Sequence, residues 1–392
     1  MNYKDYENAM VRQVESLPQL VRELYPELEE QTRAVLSTPE IYMLKKIVLT
    51  GSGDCYAAAL AAQNMFETML GLPVQVVTPV ELARYYQMKW VGETPGDPLV
   101  IALSHSGKAA RVVEAVKRVR RNGSMVLAVT SDPRSALAVN ADKVVDLSVP
   151  AFERAPGIRT YAAILMTLYL LAIRLGEVRL KITQERSGAY RQSILRMMDG
   201  LESSLEEWEQ SVFTYAADKR DAVSAELYGS GYDMGNAVYG SEKMYEAAGL
   251  PAVYSDTENW FHVNCFLRDT ERTMTLVFAD RENPAHSRTV EMVQRMNEMK
   301  REFILVTNDR NLRGTVNCVV PDAACMVPDA ACVVSDAAFG LMSPLIAFVP
   351  AALAAGYAAA LRGEEYSRGF KGMWEETDTS YTTVNSRELI LE

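Results

Sequence analysis

Residues 98–121, PLVIALSHSGKAARVVEAVKRVRR, contain the pattern that decides the fold. The uninterrupted apolar run LVIAL is typical of a strand buried on both faces of a parallel sheet. It leads into Ser104-His105-Ser106-Gly107-Lys108, and an amphipathic helical pattern follows at once. A strand that passes directly into a helix is the building block of α/β proteins. The chain is therefore predicted to be an α/β protein with parallel sheets.

The loop between this strand and this helix allows two interpretations. Ser104 and Ser106 could cap the helix, or they could donate hydrogen bonds to an anion held at the helix N-terminus. A second glycine-rich turn, Gly51–Gly53, follows the neighbouring predicted strand KIVLT and favours the anion site. We therefore predict a phosphate loop at residues 104–108.

The same order of predicted strands and helices occurs twice along the chain. This repetition predicts two tandem domains, each a parallel sheet flanked by helices. Four strands are predicted for each copy. Short segments recur 177 or 178 residues apart in one register: Gly51–Gly53 with Gly229–Gly231, Gly71–Pro73 with Gly249–Pro251, Val129–Asp132 with Val306–Asp309, and Val139–Asn140 with Val316–Asn317. The predicted boundaries are 1–40 for an N-terminal helical extension, 41–176 and 223–362 for the two domains, 177–222 for a helical connector, and 363–392 for a C-terminal tail.

Composition limits the partners and the compartment. The 392 residues carry a formal net charge of −11, which argues against nucleic acid as a partner. The five cysteines have no metal-like spacing, and the N-terminus has no apolar signal core. We expect a cytoplasmic protein with reduced thiols, no metal and no cofactor.

Two unusual stretches have ordinary explanations. The uncharged run 337–361 is long enough for a membrane span, but its prolines and many alanines favour a buried core helix. Residues 321–341 form a heptad duplication that could be a switch between Cys325 and Cys332, or a tandem insertion that lengthens a loop. We favour the insertion.

The sequence resembles the sugar isomerase (SIS) domain family over roughly residues 45–362. The resemblance is clearest in GSGDCYAAAL, ALSHSGKAARVVEAV and SEKMYEAAGLPAVYSDTENWFH. It extends to the isomerase half of glucosamine-6-phosphate synthase and to stand-alone deaminases and fructosamine-6-phosphate deglycases. It implies two flavodoxin-like three-layer sandwiches, a sugar-phosphate ligand and a homodimer in which a histidine and the tail reach the neighbour's site. No glutaminase segment precedes the match, so the full synthase is not expected.

The family holds phosphate with an S-x-S-G-x-T loop and a hydroxyl from the first glycine loop. Here Ala109 replaces the final threonine and Cys55 stands where a serine is expected, so two donors are lost. His105 and Lys108 are candidates to compensate. The resemblance implies this set of phosphate-binding residues: Gly53, Cys55, Ser104, His105, Ser106, Gly107 and Lys108.

The family's acid–base set has the spacing found here in Lys243, Glu246 and His262. The resemblance makes Glu246 the base that shuttles a proton between adjacent sugar carbons, and His262 the acid for ring opening or for the leaving group. Both could instead be ordinary residues, with Lys243 a helical salt-bridge neighbour of Glu246. The positions 178 residues earlier carry none of these groups, so the fold does not require them: Met65, Thr68 and Arg84.

Lys371, in the predicted tail, is the nearest candidate for the family's Schiff-base lysine. Together these features predict cleavage or deamination of a phosphorylated ketosamine through an enediol or enolamine. Aldose–ketose isomerisation of a sugar phosphate is the alternative enzyme. A non-catalytic sugar-phosphate regulator is the alternative from another class.

Overall fold

The computed structural model describes residues 1–92, 94, 96–321, 338–366, 383–384 and 386–388. Contacts divide the chain into two compact units. The N-sheet unit comprises Val21–Pro150, Thr160–Arg191 and Phe370–Glu392 in their described parts. The C-sheet unit comprises Met1–Leu20, Ala151–Arg159 and Gln192–Gly369, again in their described parts.

Elements are numbered in chain order. The strands are β1 Lys46–Thr50, β2 Val74–Val76, β3 Pro98–Leu103, β4 Met125–Thr130, β5 Lys143–Asp146, β6 Ser224–Tyr228, β7 Ala252–Ser255, β8 Thr273–Ala279, β9 Ile304–Thr307 and β10 Val316–Val319. The α-helices of the described residues are α1 Ala9–Glu15, α2 Leu17–Ala34, α3 Thr38–Met43, α4 Asp54–Leu70, α5 Pro79–Arg84, α6 Met88–Val91, α7 Ala110–Arg121, α8 Ala136–Val139, α9 Arg159–Val178, α10 Gln184–Asp218, α11 Asp233–Ala248, α12 Thr257–His262, α13 His286–Glu298, α14 Pro344–Ala347 and α15 Val349–Arg362.

Both sheets are parallel and have the same strand order. The N-sheet runs β2-β1-β3-β4-β5, and the C-sheet runs β7-β6-β8-β9-β10 when read from the corresponding edge. Each is the order 2-1-3-4-5, in which the chain reverses direction across the sheet after its second strand. The prediction of two α/β domains with parallel sheets flanked by helices is confirmed at this level.

Helices cover both faces of the C-sheet. Leu227 of β6 lies under α11 and α15, because a Cβ added to Gly240 would collide with Leu227 and lie 2.8 Å from the Cβ of Ala351. The next residue, Tyr228, packs with Trp260 of α12 in the cluster on the other side. Since successive strand side chains point to opposite faces, α11 and α15 cover one face and α12 the other.

The sequence prediction missed one strand in each sheet. β5 and β10 have four residues each and are only partly buried, so their apolar signal is weak. One of the four repeat matches was also wrong: Val139 ends helix α8, whereas Val316 begins strand β10. The glycine matches have the same geometry, with φ near +60° at Gly71 and Gly249, the C-caps of α4 and α11.

Two helical stretches are long and apolar enough to cross a membrane by length and composition, Arg159–Val178 and Gly340–Arg362. Both are mostly buried within the protein, as core helices of soluble proteins are. The predicted core helix in the run 337–361 is thus confirmed. The predicted domain boundaries remain a prediction. The compact units do not divide the chain between helices, since α2 and α10 each begin in one unit and end in the other. Cys325, Cys332 and most of the heptad duplication lie outside the described residues.

Candidate functional site

The predicted phosphate loop lies at the carboxyl edge of the N-sheet. β1 and β3 are adjacent and parallel, with Thr50 opposite Ala102, so the Gly51–Gly53 turn and the loop from Ser104 leave the sheet side by side. In sheets of this order, ligands bind outside the carboxyl ends of the strands where the chain changes direction. The structure therefore places both predicted loops at the expected ligand-binding edge.

Gly107 gives the loop its shape. Its φ of +62° belongs to the left-handed region, and a side chain there would collide with the Ser135 hydroxyl and approach Thr130. The Gly107 N–H donates to the Ser104 carbonyl at 2.9 Å, and its carbonyl accepts from the Leu137 N–H at 2.9 Å. Backbone hydrogen bonds made by both the N–H and the carbonyl of Gly107 thus fix the loop.

His105 is held by the loop that follows β4. The hydroxyl of Ser131 lies 2.8 Å from Nδ1 of His105, and the Ser131 N–H donates to the His105 carbonyl at 2.9 Å. Desolvation lowers the pKa of His105. Desolvation therefore favours the neutral imidazole.

The helix that follows the loop begins without a side-chain cap. Ala109 is its N-cap residue and makes no capping hydrogen bond. The first N–H groups of a helix have no partner within it, so here they are left for water or a ligand. Ser106 is exposed and accepts from the Lys108 N–H at 3.3 Å, and Lys108 is also exposed. Replacement of the family threonine by Ala109 therefore leaves the helix N-terminus open.

The glycine turn contributes backbone rather than side chains. Gly53 is the N-cap of α4 with a φ of +57°, and no atom lies within 4 Å of the place where its side chain would be. Cys55 is 7% exposed and lies beneath Gly51, where an added Cβ would be 2.5 Å from the Cys55 Cβ. Cys55 thus packs under the turn.

The C-sheet unit brings Lys243 and Glu246 together on α11. Lys243 is fully buried, lies 5.0 Å from the centre of the Tyr239 ring, and donates from Nζ to Oε2 of Glu246 at 2.5 Å. The Glu246 side chain is 40% exposed. A buried cation therefore orients a carboxylate that is open to a reactant.

His262 is the last residue of α12 and belongs to a different cluster. Its Nε2 lies 3.0 Å from Oε1 of Glu258, whose Oε2 accepts from Nε of Arg288 at 2.6 Å. The Arg288 guanidinium stacks 3.6 Å from the centre of the Phe261 ring, and it lowers the pKa of Glu258. His262 is therefore paired with an ionised carboxylate that is itself held by an arginine.

The structure does not bring His262 to Glu246 within one chain. Glu246 is on α11 and His262 on α12, and these helices cover opposite faces of the C-sheet. The strand order causes this, because a right-handed crossover changes face when the chain changes direction across the sheet.

The chain just after His262 is anchored by a buried ion pair that sequence reasoning missed. Nη2 of Arg301 donates to the carbonyls of residues 264, 265 and 267 at 3.2, 3.1 and 3.4 Å. Nη1 of Arg301 lies 3.2 Å from Oε1 of Glu226, and both side chains are almost fully buried. In the sequence, the one signal for this ion pair was Glu226, a lone glutamate inside the predicted strand AELYGSG, since buried charges need partners.

The C-sheet counterpart of the phosphate loop carries its own carboxylates. Asp233, the first residue of α11, accepts from the Asp280 N–H at 3.3 Å and from Nδ2 of Asn283 at 3.1 Å. Burial and the charge of Asp280 raise the pKa of Asp233 to about 7. A phosphate would meet these two carboxyl groups, so the anion site is not duplicated.

Lys371 lies outside the described residues. Among the described residues, no group of three or more His, Cys, Asp or Glu side chains is placed to hold a metal ion.

Residues 40–174 match the SIS domain family. This part of the chain is therefore similar to a SIS domain. The matched segment contains β1 to β5 and both loops of the predicted phosphate site. The C-sheet unit repeats the strand order of this SIS domain.

Two curated relatives match over most of this chain. A glutamine–fructose-6-phosphate aminotransferase [isomerizing] of Thermococcus kodakarensis is 24% identical over 364 residues, which are 92% of this chain and 56% of the relative. A protein of the same name from Neisseria meningitidis serogroup B is 22% identical over 87% of this chain and 56% of its own length. The chain thus spans about half the length of the curated relatives it matches.

Solved structures are similar in fold to most of this chain. The C-terminal domain of glucosamine-fructose-6-phosphate aminotransferase from Francisella tularensis has a TM-score of 0.77 at 13% identity, covering 93% of this chain and 99% of that one. Tagatose-6-phosphate ketose/aldose isomerase from Escherichia coli has a TM-score of 0.69 at 17% identity, with 93% and 96% covered. At these identities the likeness concerns the fold.

Proposed function

We propose that the protein removes the amine from a phosphorylated ketosamine, in the manner of a deglycase or deaminase. The N-sheet unit supplies the phosphate loop, and the C-sheet unit supplies the groups that move protons. Relatives named for an aminotransferase acting on fructose-6-phosphate support a phosphorylated ketose or ketosamine as the substrate class.

The observation that carries the proposal is the pair Lys243 and Glu246. Lys243 is buried and donates to a Glu246 carboxylate that remains 40% exposed. Glu246 removes a proton from C1 of the open-chain ketosamine and returns it to C2 through an enolamine. The product is an imine at C1, and water cleaves it to an aldose phosphate and a free amine.

His262 acts as the acid for ring opening or for the leaving amine, and it comes from a second copy of the chain. Exposed apolar side chains surround both residues and support a homodimer that covers them. Tyr245 precedes Glu246 and is 54% exposed, and Val263 follows His262 and is 58% exposed.

The test is incubation of the full chain with fructosamine-6-phosphates and detection of free amine and glucose-6-phosphate. We expect Glu246→Gln to abolish turnover, because an amide cannot accept the proton. Glu298→Gln is the matched control, since that glutamate pairs with Arg295 on the exposed surface of α13. Equal turnover by Glu246→Gln and the control contradicts the proposal.

Aldose–ketose isomerisation is the alternative, because the same proton transfer on a sugar phosphate without an amine interconverts the two sugars. The two reactions differ in one measurement. Isomerisation incorporates solvent deuterium at the sugar carbon without release of amine.

A further inference from the structure

The C-sheet unit contains a cavity of about 760 Å³ at the carboxyl ends of β9 and β10. The segment from Gly200 to Trp208 of α10 forms one wall, and the loops after β8, β9 and β10 form the other. Among the described residues, none of the predicted catalytic or phosphate-binding side chains lines it. Its volume and its place at the carboxyl edge of an open sheet are those of a small-molecule site.

Two guanidinium groups, those of Arg281 and Arg310, line the cavity together with two carboxylates. Arg313 lines an adjoining space of about 370 Å³ that also contains Arg310. Arg281 pairs with Glu282 at 3.2 Å, whereas Arg310 makes no ion pair within the part of the chain that the structure describes. Arg310 is therefore the arginine of the lining that is available to an anionic ligand.

The two carboxylates that line the cavity, those of Asp309 and Glu207, differ in their surroundings. Asp309 accepts from the Asn311 N–H at 2.9 Å and lies 3.1 Å from Nε2 of His286, and these contacts lower its pKa. The Asp309 carboxylate is thus already bound by Asn311 and His286. Glu207 lines both spaces and is exposed to solvent, which screens its charge.

Neutral polar groups complete the lining and suit a sugar. Ser203 and Ser204 donate their hydroxyl protons to the Gly200 carbonyl at 2.8 and 3.0 Å, which leaves their oxygen lone pairs as acceptors. Asn308 joins the loops after β8 and β9, because its Oδ1 accepts from the Arg281 N–H at 2.7 Å. Acceptors beside arginines match a ligand that carries hydroxyl groups and a phosphate.

We propose that this cavity is a second ligand site, which binds a phosphorylated sugar as an effector. In the C-sheet unit, Asp233 and Asp280 occupy the position that corresponds to the phosphate loop of the N-sheet unit. The open crevice of the C-sheet unit lies farther along the same sheet edge, beside β9 and β10. Arg310 holds the phosphate, and the α10 serines accept from the sugar hydroxyls.

The experiment is calorimetric titration of the full chain with glucose-6-phosphate, with inorganic phosphate as the comparison. The wild type is expected to show two binding events per chain. Arg310→Glu removes one of them, with an affinity loss of at least about tenfold, because a charge-assisted hydrogen bond is replaced by repulsion. Arg295→Glu, an equal charge reversal on the exposed surface of α13, keeps both events.

A second variant separates this site from the proposed function. Ser106→Ala weakens the event at the phosphate loop and leaves the Arg310-dependent event intact. If the phosphate loop binds nothing, the Arg310-dependent event remains alone, and only the proposed function fails. Binding that Arg310→Glu leaves unchanged, or equal affinities for glucose-6-phosphate and inorganic phosphate, overturns the proposal of a sugar-phosphate site here.

Discussion

His262 donates a hydrogen bond from Nε2 to the carboxylate of Glu258, 3.0 Å away. The direction of this bond is fixed, because Arg288 keeps Glu258 ionised and an ionised carboxylate can only accept. The neutral imidazole therefore carries its proton on Nε2. Nδ1 is left as the nitrogen that can exchange a proton with a substrate.

Glu258→Gln is expected to lower kcat about tenfold or more, because a group that orients a functional histidine has effects of this size. Both side chains are mostly exposed, so the free energy of unfolding should change by less than about 0.5 kcal/mol. Nitrogen-15 NMR of the three histidines measures the tautomer directly. Glu291→Gln, which removes the other partner of Arg288, is the control and keeps the Nε2–H form. A wild-type His262 protonated on Nδ1 contradicts this assignment.

Gly107→Ala should weaken binding of glucose-6-phosphate at the phosphate loop by more than tenfold. The left-handed backbone costs roughly 1–2 kcal/mol for any other residue, and the new methyl group collides with Ser135. Gly53→Ala is the control, since its φ is also positive but nothing lies within 4 Å of the added atom. Calorimetry and the Tm compare the two. Equal losses for both variants would show that Ser135 does not set the shape of the loop.

Mixed dimers should recover activity that neither parent has. Chains with Glu246→Gln and chains with His262→Ala are each expected to be inactive. After the two are unfolded and refolded together, half of the dimers are mixed and each mixed dimer has one intact site. About a quarter of wild-type activity should therefore return. Refolding each variant alone is the control, and absence of recovery in the mixture rules out sites shared between chains.

Asp233 makes stability depend on pH. Folding raises the pKa of Asp233 from 3.8 to about 7, so between these values the folded chain binds a proton that the unfolded chain has lost. The free energy of unfolding therefore falls as the pH rises through this window, and the full contribution is present below about pH 4. Asp233→Asn should reduce the fall of Tm between pH 5 and pH 8.

Asp309→Asn is the control for this pH effect, because the Asn311 N–H lowers the pKa of Asp309. Stability from Asp309 is present above its unfolded pKa and is lost only as the pH falls through its lower folded value. The slope between pH 5 and pH 8 should be that of the wild type. A Tm for Asp233→Asn that follows the wild-type curve would contradict a buried, protonated Asp233.

Removal of Arg301 should destabilise the C-sheet unit strongly. Arg301→Met leaves Glu226 buried without its cation and frees three carbonyls, and breaking a buried pair costs about 3–5 kcal/mol. Urea unfolding followed by tryptophan fluorescence measures this loss, since the ring of Trp260, one of the four tryptophans, lies 5.4 Å from the Arg301 guanidinium. Arg295→Met removes an exposed pair and should cost less than about 1 kcal/mol. Equal losses contradict the anchoring role.

The sequence was sufficient for the features that follow from local pattern. The apolar runs and glycine turns predicted the parallel sheets, because buried strands and left-handed turns need these residue types. Gly71 and Gly249, matched by spacing, end α4 and α11 with the same positive φ. β5 and β10 were missed, because short edge strands have few buried side chains.

The arrangement of the candidate site depends on long-range topology, which spacing does not encode. Glu246 and His262 are only sixteen residues apart, yet the reversal of strand order after β7 puts them on opposite faces. Glu258 lies one helical turn before His262 on α12, but its contact with Arg288 depends on the packing of α12 on α13. Nothing near His262 in the sequence indicates Arg301, which lies between α13 and β9.

The strand β7 ends its sheet, and Val253 and Tyr254 on it are each about half exposed. An apolar strand at the edge of a sheet offers unpaired backbone groups to any other extended chain. The free edge of β7 is therefore a place where a partly unfolded or extended chain could add a strand and start aggregation.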